Sequence, residues 1–424
     1  MVEILDFELR RGSGIPFAMI ESGTIIPSTK LERVLLDHIF NNYSYDPQCE
    51  GSRHEYLYEV VSAYSRRENI YSQVLQHFEE ITGSDYGEYQ VFGFVSRMVK
   101  DGFCAMTIFV EKFESYWESV SSPFSIGVEE ILNLEHTEGI RRIARLFGKR
   151  ISKGLEVEYL GTPFFGEYSE KSGFDISKTL ELLRSDPDPM ISAYINAIEV
   201  EPTADKPNRE FDFDEAFGRV LAGKKFPVGR IVRKATEDQF RRYCDEFTNL
   251  KDLSIKSQMV YGFSVRKFLG SIDLLIAEYC RSRNIDYRHS LLEAMIPFYD
   301  EKARKLVEEL YEEKSRMIRT KVLLTQMKES DVWWILESFE IFSGHELHSE
   351  IGFILGDERI ASSSVFGGIL EILLRRIQCS ICRNSVVERM ITSNLLDRNQ
   401  VLVLMKDCHP GTRKVAEAYF SKLT

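Results

Sequence analysis

Long apolar runs are missing from this chain. The oiliest stretch, Val365–Leu374, is broken by Gly367, Gly368 and Glu371, so nothing approaches the roughly 18 apolar residues of a membrane span. A secretory leader is missing too, because Met1–Arg11 carries acids throughout. Proline is scarce, at 12 of 424 residues, and glycine is ordinary at 26. With 43% hydrophobic and 28% charged residues, a collagen-like or wholly disordered chain is excluded. The seven cysteines are odd in number and scattered. They read as reduced thiols in a reducing compartment rather than a disulfide scaffold, and the expected location is cytoplasmic.

An excess of basic charge is also lacking. Lys+Arg total 54 against 66 Asp+Glu, a net charge of −12. Such a chain repels phosphate backbones and anionic lipid at long range. Catalytic signatures are absent as well. There is no Gly-x-Ser-x-Gly elbow and no Glu-x-x-His pair of the di-iron kind. Gly148-Lys149-Arg150 and Gly223-Lys224-Lys225 both fail the last position of a phosphate loop, and Gly12-Ser13-Gly14 reads as a turn.

What is present is amphipathic helix, repeated. Apolar residues recur at helical spacing over Ser52–Tyr64, Glu68–Ile81, Tyr86–Lys100 and Ser264–Cys280. Asp85 reads as an N-cap, and Ser290 with Glu293 as the opening of another helix. The best strand candidate, Leu155–Leu160, is short. The pattern predicts an all-α chain of about 18–22 helices. Residues 1–28 lack clear periodicity. Gly154–Gly173 suggests a long structured loop, and Glu201–Asp214 an acidic linker. The length allows one large unit or two to three ordinary ones. The reading is a continuous solenoid over 1–424, with a hinge at 154–173 or 201–214 dividing it into 1–200 and 201–424.

Short antiparallel helices joined by tight turns suggest helix pairs stacked on one another, an α-α superhelix. The stretch Asp407-Cys408-His409-Pro410-Gly411-Thr412-Arg413-Lys414-Val415-Ala416 resembles the second helix of a HEAT repeat: Asp, Pro, Arg and Ala at the family spacing. Proline suits a first helical turn, and alanine suits close helix approach. Partial echoes occur at Glu135–Ala144, with Glu138 in place of Pro, and at Asp186–Ile195, with Ser192 in place of Arg. The texture of Tyr45–Tyr56, Phe226–Arg233 and Cys379–Arg383 is similar to that of bacterial HEAT-repeat domain-containing proteins. The resemblance implies an α-solenoid with an interaction role and brings no catalytic residues.

Two basic clusters stand out. In the first, Arg141, Arg145 and Lys149 lie one turn apart, with Arg142, Arg150 and Lys153 beside them. The second is Lys224, Lys225, Arg230, Arg233 and Lys234. Trp333 and Trp334 adjoin Asp331, a distant imitation of the aromatic groove and Asp of HEAT-like DNA glycosylases; a pair on a helix splits more readily between core and ridge. Cys379-x-x-Cys382 is half of a zinc site or a redox pair. No second CxxC exists, and Cys408-His409 would have to complete a metal set. His345, His348 and Glu350 miss the zinc-protease spacing by one residue. Glu312 and Arg316 suit a helix-surface pair.

The expectation is therefore a non-enzymatic scaffold that binds a protein along a solenoid face, without cofactor, metal or membrane. Its partner-binding candidates are Arg141, Arg145, Lys149, Arg230, Arg233, Trp333 and Trp334. The alternative is a nucleic-acid-binding, glycosylase-like protein using 141–153 and 224–234.

Overall fold

The computed structural model describes residues 1–83, 85–120, 125–155, 157, 175–200, 211–308 and 316–423. Most of Leu155–Leu160, most of the glycine-rich loop Gly154–Gly173, most of Glu201–Asp214 and Glu312 lie outside these residues. Every regular element among the described residues is a helix, and none is long and apolar enough to cross a membrane. Helices outnumber the expectation because several are single turns, such as Pro47–Glu50, Gly262–Val265 and Glu358–Ala361.

Local chemistry explains where helices start. Tyr86–Lys100 is capped by Asp85, whose carboxylate accepts from the Gly87 and Glu88 amides while Glu88 returns to the Asp85 amide. Val91, Phe92, Val95 and Met98 of its apolar stripe are fully buried. Two expectations need correcting. Ser264–Cys280 is not one helix: Arg266 turns extended, Ser271 caps a new start, and helix resumes at Ile272–Arg281. The break lets Phe268 fold back against Phe263, with ring centroids 4.8 Å apart. Ser290 opens nothing; Asn284 caps Ile285–Met295 by accepting from the Tyr287 amide at 2.9 Å. Residues without clear periodicity at the start form Val2–Arg11 and Ile15–Glu21, which bury Leu5, Leu9 and Phe17.

The described residues divide into two compact units: Met1–Ala204 with Ile377–Thr424, and Asp205–Arg376. In the first, Phe78, Phe92 and Phe109 meet at centroid separations of 4.8–5.8 Å. Trp117 packs 4.9 Å from Phe147 and donates to the Ile126 carbonyl at 2.9 Å. Each such ring contributes about 1.5–3 kcal/mol by burial. Gly148 lets Thr137–Ser152 touch Pro189–Val200, because a Cβ there would fall 1.7 Å from the Met190 carbonyl oxygen. Gly148→Ala is expected to lose about 1–3 kcal/mol through overpacking. An unchanged urea midpoint would refute this close approach.

The chain ends meet in this first unit through a buried charge network. Arg383 grips Asp407 with two bonds, Nε to Oδ2 at 2.7 Å and Nη2 to Oδ1 at 3.0 Å. Nη2 also donates to the Arg11 carbonyl at 2.8 Å, and the Cys408 amide donates to the Gly12 carbonyl at 2.8 Å. Arg11 pairs with Glu8 and Arg53 with Glu50, at 2.8 and 3.0 Å. Three cations thus face three carboxylates. Gly14 completes the closure: a Cβ there would sit 1.8 Å from the Val403 carbonyl oxygen.

The second unit is built around Phe263, whose ring lies 4.9 Å from Phe247 and 5.7 Å from Tyr243. Tyr243 satisfies its hydroxyl on the Met259 carbonyl at 2.7 Å.

Candidate functional site

Four of the six cations in the first basic cluster, Arg141, Arg142, Arg145 and Lys149, are met by carboxylates where they stand. Arg145 Nε donates to Asp188 at 2.6 Å and Lys149 to Glu118 at 2.5 Å. Arg141 lies 3.4 Å from Asp186 and 3.7 Å from Glu138. Arg142 bonds Glu135 and Glu114. Arg150 is buried and donates to the Trp117 and Val120 carbonyls, both at 2.9 Å. Asp186 and Asp188 thus supply the acids for Arg141 and Arg145. The Arg145 hydrogen bond, helped by the Met190 amide, holds the Asp188 carboxyl below the usual range. Exposed pairs of this kind are worth about 0–1 kcal/mol each. They cancel charge more than they fasten helices.

The second cluster differs. Lys224, Lys225, Arg230, Arg233 and Lys234 are all exposed. Among the described residues no carboxylate forms an ion pair with any of the five. Arg230, Arg233 and Lys234 share the short helix Val228–Lys234, and Arg230 also sits 5.7 Å from the Phe211 ring. Positive charge in the last turn suits the helix dipole, but that effect does not discharge the strip.

Arg233 opens onto a cleft of about 1210 Å³ within the second unit, shared with Tyr261, Lys321, Glu350, Phe353 and Arg359 among others. Tyr261 is 55% exposed. Lys321 is held by Glu350 at 2.7 Å and Glu293 at 3.3 Å. Arg359 bonds Asp357 at 3.0 Å and lies over the Tyr299 ring. Burial raises the Asp357 carboxyl, and the Arg359 bonds more than reverse it, keeping it ionised. The cleft thus presents aromatic faces, both signs of charge and one unpaired guanidinium. Its lining comes from five stretches far apart in sequence, so Tyr261 and Lys321 carried no linear signal.

Asp331, Trp334 and Glu350 among the remaining candidates have structural partners. Asp331 receives Arg304 through two bonds of 2.8 and 2.9 Å and the Lys328 amide at 2.8 Å. These outweigh burial and hold its carboxyl below the usual range. Both oxygens are committed. Trp333 is 70% exposed, whereas Trp334 is half-buried beside Arg316 and Arg319, 5.4 and 4.5 Å from its ring. Glu346 closes a capping box with Ser343 on Gly344–Gly356, and Glu350 belongs to Lys321.

A smaller cleft of about 530 Å³ in the first unit is lined by Gly51, Ser52, His54, Tyr86, Tyr89 and Glu129 among others. Ser52 Oγ lies 2.9 Å from His54 Nδ1, and His54 Nε2 lies 3.5 Å from Glu55. The Ser52 hydroxyl also accepts the His54 amide at 3.2 Å. A local turn two residues long accounts for this contact. No family model matches the chain, and neither a curated protein nor a solved structure is similar to it.

Proposed function

We propose that this chain is a non-catalytic binding protein of stacked helix pairs that takes an acidic protein segment along Lys224–Lys234 and into the adjoining cleft. The observation that carries this reading is the contrast between the clusters: 141–149 is answered by its own carboxylates, and 224–234 is exposed and unpaired. The cleft sets Tyr261 and Phe353 beside Arg233, and its acids Glu293, Glu350 and Asp357 already hold Lys321 and Arg359, which suits a segment whose acids alternate with aromatic residues better than a continuous phosphodiester. Exposed Tyr261 and Trp333 belong to the types that anchor protein interfaces. A HEAT-like helix pair at the C-terminus is supported by Pro410 opening Pro410–Leu423, by fully buried Ala416, and by Arg413 donating to the Asp407 carbonyl at 2.8 Å.

The test uses a fluorescent Glu/Tyr-rich peptide and a 20-base-pair duplex as probes. Peptide binding is expected, weakened at least about tenfold by Arg230→Glu with Arg233→Glu and unchanged by Arg141→Glu with Arg145→Glu. Peptide affinity indifferent to the first pair would overturn the assignment. Duplex binding with a steep salt dependence, without peptide binding, would replace it with the nucleic-acid reading.

A further inference from the structure

The Cys379-x-x-Cys382 pair lies in the first unit. Cys379 is the N-cap of Ser380–Thr392, and its Sγ accepts from the Cys382 amide at 3.5 Å. The two Sγ atoms lie within 4.8 Å of each other, and both are thiols. Cys379 is buried and Cys382 half-buried. The Cys382 thiol donates towards Cys379; that bond, burial and the nearby Glu50 carboxylate push it well up. Cys379 is the cap sulfur of the pair, the one that accepts an amide at the helix N-terminus. Its thiolate is held by that amide and by a neighbouring S–H, the setting that stabilises a reactive thiolate. The Ser380 amide is fixed on Glu50 Oε2 at 2.8 Å, and Glu50 is braced by Arg53. The first turn of the helix is thus rigidly placed. Arg383, which ties the chain ends together, follows directly.

We propose that Cys379 and Cys382 form a reversible peroxide-sensing dithiol, with Cys379 the attacking sulfur and Cys382 the resolving one. The oxidant is a small hydroperoxide, which reaches a buried sulfur more readily than a bulky disulfide does. The Cys379 thiolate attacks the terminal peroxide oxygen and breaks the O–O bond, giving a sulfenic acid. The departing hydroxide or alkoxide takes up a proton. Cys382 Sγ then attacks Cys379 Sγ, and the S–OH oxygen leaves as water with the Cys382 proton. With hydrogen peroxide, two thiols and one peroxide become one disulfide and two waters. The bond closes the N-cap onto the third helical residue without crossing to another element.

The exposed thiols Cys49 and Cys280 would obscure the readout, so the experiment uses the C49S/C280S chain. After hydrogen peroxide, intact mass is expected to fall by about 2 Da and to recover with dithiothreitol. In the added C382S variant, dimedone is expected to label Cys379 at least about ten times faster than it labels Cys382 in the C379S variant. Retention of both alkylatable thiols after peroxide would overturn the proposal. So would equal dimedone labelling, or stoichiometric zinc on a pair inert to peroxide. The parent chain with Cys49 intact checks the pairing by peptide mapping; a Cys49–Cys379 bond there would also overturn it. The mass readout needs no substitution at the pair, so misfolding of either serine variant leaves the proposal testable.

Discussion

Replacing Arg383 by methionine is expected to cost about 3–5 kcal/mol of stability, the largest loss from any single substitution considered for this chain. Arg383 is 1% exposed, and its guanidinium joins Asp407 to the Arg11 carbonyl. Methionine fills similar volume but leaves the equally buried Asp407 carboxylate without its cation. An uncompensated buried charge is what makes breaking such a pair expensive, whereas replacing both partners by apolar groups is often neutral. Arg383→Met with Asp407→Leu should therefore recover much of the loss. Chemical denaturation of the two single variants and the double variant measures this coupling. A loss below about 1 kcal/mol for Arg383→Met would show that Asp407 does not depend on this cation.

Glu130→Gln is expected to stabilise the chain at alkaline pH and to leave it nearly unchanged under acid conditions. Glu130 is buried on Val128–Glu135, and its Oε2 has no hydrogen-bond partner among the described residues. Burial pushes its carboxyl up to about 7, with Glu129 adding to the shift while His54 and Lys100 oppose it. The folded state therefore holds a proton that the unfolded state releases from about pH 4.5 upward. Folding stability falls as pH rises through this window and levels off above 7. The span corresponds to roughly 3 kcal/mol. Glutamine mimics the neutral acid and removes the penalty. Urea midpoints at pH 5 and pH 8 test this, since other titrations cancel between variant and parent. An equal difference at both values would show that Glu130 does not titrate there.

Much of the fold was legible because its signals are local. The stripe Val91, Phe92, Val95 and Met98 with the Asp85 cap defines Tyr86–Lys100 without tertiary help. The break inside Ser264–Cys280 was hidden, because the apolar spacing continues across it. It is the placing of Phe268 against Phe263 that makes the turn worthwhile. The same limit applied to charge. Arg141 and Arg233 look alike in sequence, yet their difference lies in Asp186, Asp188 and Glu118, acids more than thirty residues from the cations they meet, or in the lack of such acids.

The sequence by itself determined an all-helical chain, the placement of most apolar stripes and the capping of many helix starts. These follow from contacts between residues three or four apart, which the order of amino acids specifies directly. Tertiary structure alone decided that Ile377–Thr424 packs with the first helices, that most of one basic cluster is neutralised and the other exposed, and that a cleft opens beside Arg233. Each depends on groups remote in the chain. Whether a charge finds a partner, or a helix face a neighbour, is settled by the packed core rather than by local propensity.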